Sequence, residues 1–197
     1  MSGSAVLEPA SFARTAGAFM RDAASQRVRA MVEQLHPVVW RALRRLGVAD
    51  SDVEDVTQEV FVAASKRLSD IEVGRERAFL LAVAVRHAAH AHRSRLRRRE
   101  VQSDDLPDTP NPSADPEELV DRARAREMLL RLLGQLTFEL RTVFVLYEIE
   151  QLTMAEIAES LDLPPGTVAS RLRRARETFL ELVRESTPRQ NAGGKEP

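Results

Sequence analysis

The sequence predicts an all-α protein with two small helical domains joined by a flexible acidic linker. No convincing alternation of apolar and polar residues, the pattern of a half-buried strand, runs through its 197 residues. Apolar residues recur instead at the three- and four-residue spacing of amphipathic helices. Residues 100–118 separate two such groups of helices with prolines, acids and almost no apolar side chains, as a flexible linker requires.

The chain is long enough for two small domains with their own cores. The expected organisation is an N-terminal extension at 1–25, a first domain at 26–99, the linker at 100–118, a second domain at 119–185 and a disordered tail at 186–197.

The net charge of -1 conceals an uneven distribution. Residues 1–99 hold 17 Lys and Arg against 11 Asp and Glu, residues 100–121 hold none against 8, and residues 122–197 hold 12 against 11. An acidic connector therefore masks a basic first half, so the overall charge does not exclude nucleic acid as a partner.

The composition also excludes several classes of chemistry. The chain has no cysteine, which rules out disulfides, thiol catalysis and cysteine-based zinc sites. It shows no secretory signal layout and no apolar run long enough to span a bilayer. We therefore expect a soluble, cytoplasmic protein with no membrane insertion.

The first domain should open with an amphipathic helix over residues 26–46, with Pro37 as a kink or break. Residues 11–24 suit a short additional helix, and the first ten residues a frayed terminus. Ser51 and Glu54 have the spacing of a capping box, which predicts that a second helix of about five turns begins there.

This second helix has an unusual outer face, on which Asp55, Gln58, Glu59 and the apolar Val62 fall together. Such a face suits a protein partner, or it is an ordinary solvated face with one stray valine; the sequence leaves both interpretations open. A loop over residues 69–77, pivoting on Gly74, is predicted to follow.

Residues 78–99 form a helix that starts apolar and ends in arginines. The arginines either improve solubility or neutralise nucleic-acid phosphates. His87, His90 and His92 lie on the same helix, but only the first two share a face, and no carboxylate accompanies them in the sequence. We therefore predict no metal site and interpret these histidines as polar positions beside the arginines.

In the second domain, Asp115 and Pro116 are placed as the N-cap and first residue of the opening helix. Thr137 is placed to cap the next helix, which continues through Ile149. The chain then reaches residues 152–176, which predict a complete helix-turn-helix.

The first helix of this motif carries its own start signals. Thr153 and Glu156 have capping-box spacing, and Leu152 and Ile157 stand where a hydrophobic staple packs. The Leu-Pro-Pro-Gly segment at 163–166 then ends the helix, because proline lacks an amide donor and restricts the residue before it.

The second helix of the motif has two contrasting faces. Its apolar stripe comprises Val168, Leu172, Ala175, Phe179 and Leu182. The opposite face presents Ala169, Ser170, Arg173 and Arg174, flanked by Arg171 and Arg176. Small residues let the helix approach a DNA major groove, and arginines reach phosphates or guanine edges. The plain alternative is a solvated, salt-bridged face.

Two separated segments jointly resemble bacterial sigma-70 family RNA polymerase sigma factors of the extracytoplasmic-function (ECF) group. SDVEDVTQEVF, at residues 51–61, is similar to the acidic motif of sigma region two, with Asp55, Gln58 and Phe61 at matching places. Residues 152–176 resemble region four over their whole length. The resemblance covers residues 26–184 and makes the second domain a winged-helix-like region four.

The resemblance implies three sets of binding residues. Core RNA polymerase would contact Asp52, Asp55, Gln58, Glu59 and Val62. The single-stranded minus-ten promoter element would contact Arg75, Arg77, Arg86, His90, Arg93 and Arg97. The duplex minus-thirty-five element would contact Thr153, Thr167, Ala169, Ser170, Arg171, Arg173, Arg174 and Arg176. The family commonly has tryptophan where Phe79 stands, asparagine near Arg86 and aspartate near His90.

The leading hypothesis is therefore a sigma factor that binds core RNA polymerase, directs promoter-specific transcription initiation and is held by an anti-sigma factor. The alternative is an autonomous, dimeric helix-turn-helix regulator acting on a palindromic operator. An enzyme is disfavoured, because paired carboxylates, a nucleophile with its base and a phosphate-cradling glycine loop are all missing from the sequence pattern. No catalytic residue and no cofactor is predicted.

Overall fold

The computed structural model describes residues 9–101 and 118–186, and every regular element in these ranges is helical. The all-α prediction is confirmed there. The helices are α1 (Pro9–Arg45), α2 (Val53–Ser65), α3 (Glu76–Val101), α4 (Glu118–Gln135), α5 (Phe138–Phe144), α6 (Met154–Leu161) and α7 (Pro165–Ser186). A 3-10 turn at Leu68–Asp70 follows α2, and a π-helical turn at Val145–Ile149 continues α5.

Helix α1 is longer and more continuous than the sequence predicted. One helix includes residues 11–24 and continues through Pro37, so the separate short helix and the break are wrong. Pro37 is exposed, whereas Val39 and Leu43 beyond it are buried, and their packing holds the helix across the one missing amide donor. Residues 9–25 of the predicted extension belong to α1, and residues 1–8 lie outside the described ranges.

The start of α2 differs from the predicted capping box. Asp52 occupies the N-cap position and makes no side-chain cap hydrogen bond. The Ser51 hydroxyl donates to the Asp52 carboxylate, and Glu54 lies 3.3 Å from a ring nitrogen of His36. The predicted capping box does not form, because the Ser51 hydroxyl and the Glu54 carboxylate interact with other side chains. The helix also ends at Ser65, short of five turns.

Helices α1, α2 and α3 enclose the core of the first unit, which includes Leu43, Val60 and Leu80. The loop before α3 pivots at Gly74 as predicted, with a φ of +89° that favours glycine. The Gly74 amide donates to a carboxylate oxygen of Glu76 at 2.7 Å, which secures the first turn of α3.

The second unit contains α4 to α7. Thr137 occupies the N-cap position of α5 as predicted, but its side chain makes no cap hydrogen bond. The π-helical turn after α5 was not predicted. In this turn the Glu150 amide donates to the Val145 carbonyl, five residues back, at 2.9 Å. The wider turn changes the side of the helix on which the following residues lie.

The two units pack against each other, which the prediction of two domains on a flexible linker did not include. Arg141 of α5 is buried and donates to the carbonyl of Leu46, just beyond the end of α1. Gly47 has a φ of +92°, and a side chain there would meet the Arg141 guanidinium. The cation at the carbonyl end of α1 is electrostatically favourable.

The predicted linker and tail fall mostly on residues that lie outside the described ranges. Helix α3 continues to Val101, α4 begins at Glu118, and α7 ends at Ser186. The predicted cap at Asp115 and Pro116 lies outside the described ranges. None of the helices in the described ranges combines the length and apolarity that crossing a membrane requires.

Candidate nucleic-acid and polymerase interfaces

Helix α6 begins at the capping box that the sequence predicted. The Glu156 amide donates to Thr153 Oγ1 at 3.3 Å, and the Thr153 amide donates to Glu156 Oε2 at 2.8 Å. Hydrogen bonds from the Thr153 side chain and amide, helped by the positive charges of Arg75 and Arg77, lower the pKa of Glu156. Leu152 and Ile157, the predicted staple, are both buried.

The turn of the helix-turn-helix is tight. Asp162 ends α6 in a left-handed conformation with a φ of +51°, and the Leu163 amide returns to the Ala158 carbonyl at 3.0 Å. Helix α7 then begins at Pro165, where a missing amide donor costs nothing. The predicted start near Gly166 is confirmed.

Helix α7 presents the two faces that the sequence predicted. Val168, Leu172 and Ala175 are buried against the second unit. Ala169, Ser170, Arg173, Arg174 and Arg176 are exposed, and Thr167 and Arg171 are half-buried. Helix α7 is therefore anchored by its apolar face, and its opposite face, made of small and basic residues, is exposed to a partner.

Several of the predicted duplex contacts already have partners inside the chain. Arg176 pairs with Glu148, which raises its pKa, and its guanidinium lies 5.3 Å from the ring centroid of Tyr147. The Thr153 side chain is engaged in the capping box. Arg173 pairs only across one helical turn with Glu177, at 2.9 Å with both side chains exposed, and such a pair is weak.

The outer face of α2 is assembled as predicted. Asp55, Gln58, Glu59 and Val62 are exposed and line one shallow groove with residues of α2, the following turn and α3. Val62 is 52% exposed, one of the more exposed large apolar side chains in the described ranges. Asp52 is exposed at the N-cap of the same helix.

The histidines of α3 have different neighbours from those the sequence suggested. Glu59 of α2 lies 3.0 Å from His87 Nδ1, so a carboxylate does accompany this residue. His92 stacks on Phe138 of α5 with ring centroids 5.2 Å apart. Within residues that the structure describes, no three potential ligands converge as a metal site would need.

The six predicted minus-ten residues divide into two groups. His90, Arg93 and Arg97 are exposed along the second half of α3. Arg77 pairs with Glu150 of the second unit, and the exposed Arg75 and Arg86 line a cleft between the start of α3 and helix α6. We name this cleft, of about 340 Å³, the α3–α6 cleft.

The first wall of the α3–α6 cleft combines basic and aromatic side chains with the carboxylates of Asp70 and Glu72, and its second wall is acidic. Its first wall contains Arg67, Arg75, Phe79 and Arg86, with the Arg67 guanidinium 5.7 Å from the Phe79 ring centroid. Partial burial, together with repulsion from Arg67, lowers the pKa of Arg86. Its second wall is α6, which contributes Glu156, Glu159 and Ser160.

Glu150, which the sequence reasoning missed, joins the two units beside this cleft. Its carboxylate has a side-chain exposure of 4% and lies 2.8 Å from both Arg45 of α1 and Arg77 of α3. Arg77 also donates to the Glu150 carbonyl. The two arginine side chains are partly exposed, at 22% and 38%, and removing either one leaves the buried carboxylate paired with the other.

A signal for Glu150 does exist in the sequence. It follows residues 143–149, which are apolar apart from Glu148, at the spacing of the buried Val143 and Leu146, so a carboxylate stands where the pattern requires a core residue. A charge in such a position needs a cationic partner. Which arginine would supply it was not readable from the sequence, because Arg45 and Arg77 are 105 and 73 positions away.

Family models match both units of the chain. The model of sigma-70 region 2 matches residues 31–99, and that of sigma-70 region 4 matches residues 126–179. The chain is 34% identical over 176 residues to the ECF RNA polymerase sigma factor SigL of Mycobacterium tuberculosis, a match that covers 86% of this chain and 97% of that protein. The chain belongs to the ECF group of RNA polymerase sigma factors. This is the class of protein through which RNA polymerase starts transcription at promoters.

Two further relatives agree with this assignment. The sigma factor is 30% identical over 154 residues to SigE of Mycolicibacterium smegmatis, a match that covers 78% of this chain and spans 60% of the length of that relative. It also resembles the structure of CnrH in complex with the cytosolic domain of CnrY, with a TM-score of 0.62, 26% identity, and coverage of 85% of this chain and 96% of that chain. The leading functional hypothesis is thereby favoured over the autonomous regulator.

Proposed function

We propose that this sigma factor binds core RNA polymerase through the outer face of α2 and holds a promoter at two points, with α7 on duplex DNA and α3 on a single strand. The observation that carries the proposal is the separation of these surfaces. An acidic and apolar face on α2 and a basic face on α7 are both exposed on firmly packed helices, within the segments that match regions 2 and 4.

The face of α7 suits the major groove of a minus-thirty-five element. The small side chains of Ala169 and Ser170 let the start of the helix approach the groove closely, and Arg173 and Arg174 are exposed on the next turn. The weak pair between Arg173 and Glu177 is easily exchanged for a phosphate or a guanine edge. The other predicted contacts, at Thr153, Thr167, Arg171 and Arg176, flank this centre.

Helix α3 and the loop before it suit a single-stranded minus-ten element. Phe79 offers a ring on which an unstacked base can stack, and the arginines of the same wall can pair with phosphates. His90, Arg93 and Arg97 extend the basic track along the helix. Promoter opening is then driven by binding, since holding the flipped bases offsets a few kcal/mol of lost stacking for each base.

The outer face of α2 suits a helical surface of the polymerase. Asp52, Asp55 and Glu59 supply charge, and the exposed Val62 supplies apolar surface that a partner can bury. The protein acts by binding, with no catalytic residue or cofactor of its own. As a partner of RNA polymerase it works in the cytoplasm.

An anti-sigma factor is the expected regulatory partner. In its solved structure CnrH is bound to the cytosolic domain of a second protein, CnrY. A comparable partner of this sigma factor would act by covering one of the three surfaces described above.

The decisive experiment adds the purified protein to sigma-free core polymerase with a library of promoter fragments and scores run-off transcripts. Transcripts that start at a shared sequence pattern are expected. The absence of transcripts, together with tight operator binding by the protein alone, would exclude the sigma function and restore the autonomous regulator.

The α2 surface has its own test. Val62→Asp should weaken core-polymerase binding by about 1–2 kcal/mol, because a charge enters the apolar centre of the contact. Val73→Asp is the matched control, since Val73 is 88% exposed but lies in the loop before α3. Equal core affinity for the two variants, measured by fluorescence anisotropy, would remove α2 from the interface.

A further inference from the structure

The segment between α2 and α3, which we call the strand loop (residues 68–75), forms part of the proposed single-strand site. Four of its residues line the α3–α6 cleft: Asp70, Ile71, Glu72 and Arg75. The backbone hydrogen bonds that fold it are short-range. The Ile71 amide donates to the Leu68 carbonyl at 3.3 Å, three residues back. Such turns shape the strand loop locally, but a contact from another element has to fix its position against the helices.

Arg27 of α1 supplies that contact. Its guanidinium donates to the Ile71 carbonyl at 2.7 Å and to the Leu68 carbonyl at 3.3 Å. The same guanidinium lies 2.7 Å from Glu76 Oε1, in the first turn of α3. The other oxygen, Glu76 Oε2, accepts from the Gly74 amide at 2.7 Å. One arginine therefore ties α1 to the beginning of the strand loop and, through Glu76, to its pivot.

This clamp is better shielded from water than the ion pair within the strand loop itself. The side chains of Arg27 and Glu76 are 27% and 18% exposed. Arg75 and Glu72 are 3.7 Å apart with side-chain exposures of 43% and 76%, and such a pair is weak. Burial by itself would raise the pKa of Glu76, but hydrogen bonds from its own backbone, from Arg27 and from the Gly74 amide outweigh burial and lower the pKa. Glu76 is therefore ionised at neutral pH.

The clamp acts on the α3–α6 cleft without lining it. Neither Arg27 nor Glu76, both of which the structure describes, is among the cleft's lining residues. Ile71, whose carbonyl Arg27 holds, is buried and lines the cleft together with Phe79. Phe79 carries the ring on which an unstacked base is proposed to stack. The shape of the cleft beside that ring therefore depends on where Arg27 holds the backbone of Ile71.

We propose that Arg27 is a positioning residue for the minus-ten strand. It holds the strand loop in the shape that receives an unstacked base, and it thereby sets how strictly that base is chosen. A site that is held in one shape discriminates between similar ligands, whereas a loose site adjusts to each of them. This inference rests on the proposed role of α3 and deepens it by naming a residue that acts through the loop and not through DNA.

Arg27→Gln and Arg27→Lys test the clamp. Glutamine removes the charge and cannot reach three acceptors with one amide group. Lysine keeps the charge but loses the planar fork of donors. Glu76→Ala releases the Gly74 amide from the other side of the clamp. The matched control is Arg29→Gln, because Arg29 is exposed on the same helix and the change of charge is the same.

The first readout is the order of the strand loop in the full chain without DNA. The chain has no cysteine, so Val73→Cys, at a side chain that is 88% exposed, allows one nitroxide label to be attached in the loop. Electron paramagnetic resonance should show a more mobile label with Arg27→Gln or Glu76→Ala, and no change with Arg29→Gln. Equal mobility in Arg27→Gln and Arg29→Gln would overturn the inference. Arg27→Lys carries the comparison if Arg27→Gln loses its helical circular dichroism.

The second readout is base preference in the holoenzyme. Core polymerase with each variant transcribes one library of barcoded promoter fragments, and sequencing of the run-off transcripts gives the preference at each promoter position. At the most selective minus-ten position, the preference for the best base should fall about tenfold in Arg27→Gln, within the range that one well-placed base contact supplies. Arg27→Lys should fall by less, and Arg29→Gln should match the wild type.

The minus-thirty-five preference should stay at the wild-type level in every variant, because the clamp lies in the first unit and α7 in the second. A merely structural role of Arg27 would lower transcription from all fragments and weaken both preferences together, and that result would overturn the positioning role. An unchanged minus-ten preference in Arg27→Gln would do the same.

The wild-type holoenzyme separates this inference from the proposed function. Absence of transcripts with the wild-type protein removes the sigma function. Transcripts from the wild type, together with the same minus-ten preference in Arg27→Gln and Arg29→Gln, remove only the role of Arg27.

Discussion

The two proposed DNA-reading surfaces of this sigma factor differ in how accessible they are. On α7, Arg173 and Arg174 are exposed, and the paired one contacts only a neighbour on its own helix. At the start of α3, Arg75 and Arg77 pair with carboxylates of the other unit. Both surfaces are basic and at least partly exposed, but only at the second do arginines pair across the two units.

This difference shows that a basic surface is not by itself an available one. An arginine whose partner is one helical turn away can change partners by rotating its side chain. An arginine whose partner is buried in another unit can do so only if the units separate. The two surfaces therefore differ in the free energy needed to free an arginine from its partner, and not in their number of charges. Four substitutions test this difference.

The largest effect is expected from Gly47→Val, which attacks the junction of the units. A branched side chain is strained at a φ of +92° and would displace the buried guanidinium of Arg141 from its carbonyl acceptors. We expect the free energy of unfolding to fall by about 3 kcal/mol. Denaturant titration measures this effect.

Gly134→Ala is the control for this substitution. It lies within α4 with open space where a Cβ would stand, so it should be neutral or stabilise by roughly 0.5–1 kcal/mol. If Gly47→Val unfolds no more easily than Gly134→Ala, the junction contributes nothing to stability.

The next effect, on the open surface, is expected from Arg173→Ala. Duplex affinity should fall by about 1–3 kcal/mol if the arginine contacts a guanine edge. Arg184→Ala, farther along the same helix, serves as control; a footprint that changes equally in both variants would assign the effect to general charge.

A smaller effect is expected at α6, which belongs to both surfaces. Thr153→Ala should lower the free energy of unfolding by about 1 kcal/mol by removing the cap. The Thr153 hydrogen bonds hold the pKa of Glu156 below its ordinary value of 4.5 in the folded state. The stabilisation from ionised Glu156 is therefore present above pH 4.5 and is lost as the pH falls through the lower, folded-state pKa.

Glu156→Gln checks this pH dependence, because glutamine keeps the capping geometry without titrating. Thermal melts between neutral pH and the acid range should show a shallower acid decline for this variant. An acid decline identical to that of the wild type would contradict the assignment.

The smallest effect is expected from Glu159→Gln, which removes the exposed pair with Arg75. Stability should change by about 0.5 kcal/mol or less, and the change should vanish in high salt. Set beside Glu150→Gln, this variant distinguishes the exposed contact from the buried one. An equal loss of stability in both variants would contradict the difference in burial between the two carboxylates.

Much of the local structure was predictable, because it depends on neighbours in sequence. The capping box at Thr153 and Glu156, the turn before Pro165, the pivot at Gly74 and the apolar stripe of α7 are confirmed. The capping box at Ser51 and the break at Pro37 were wrong, because side chains from α1 and packing beyond the proline overrode the local signals.

The sequence by itself determined the helices, the polar face of each and the two units that the family models match, since helical periodicity and capping involve residues only a few positions apart. Only the tertiary structure decided that Glu150 meets Arg45 and Arg77, that Arg141 closes over Gly47, and that α6 covers the start of α3. Those contacts join residues many tens of positions apart, and no local pattern specifies which buried charge pairs with which.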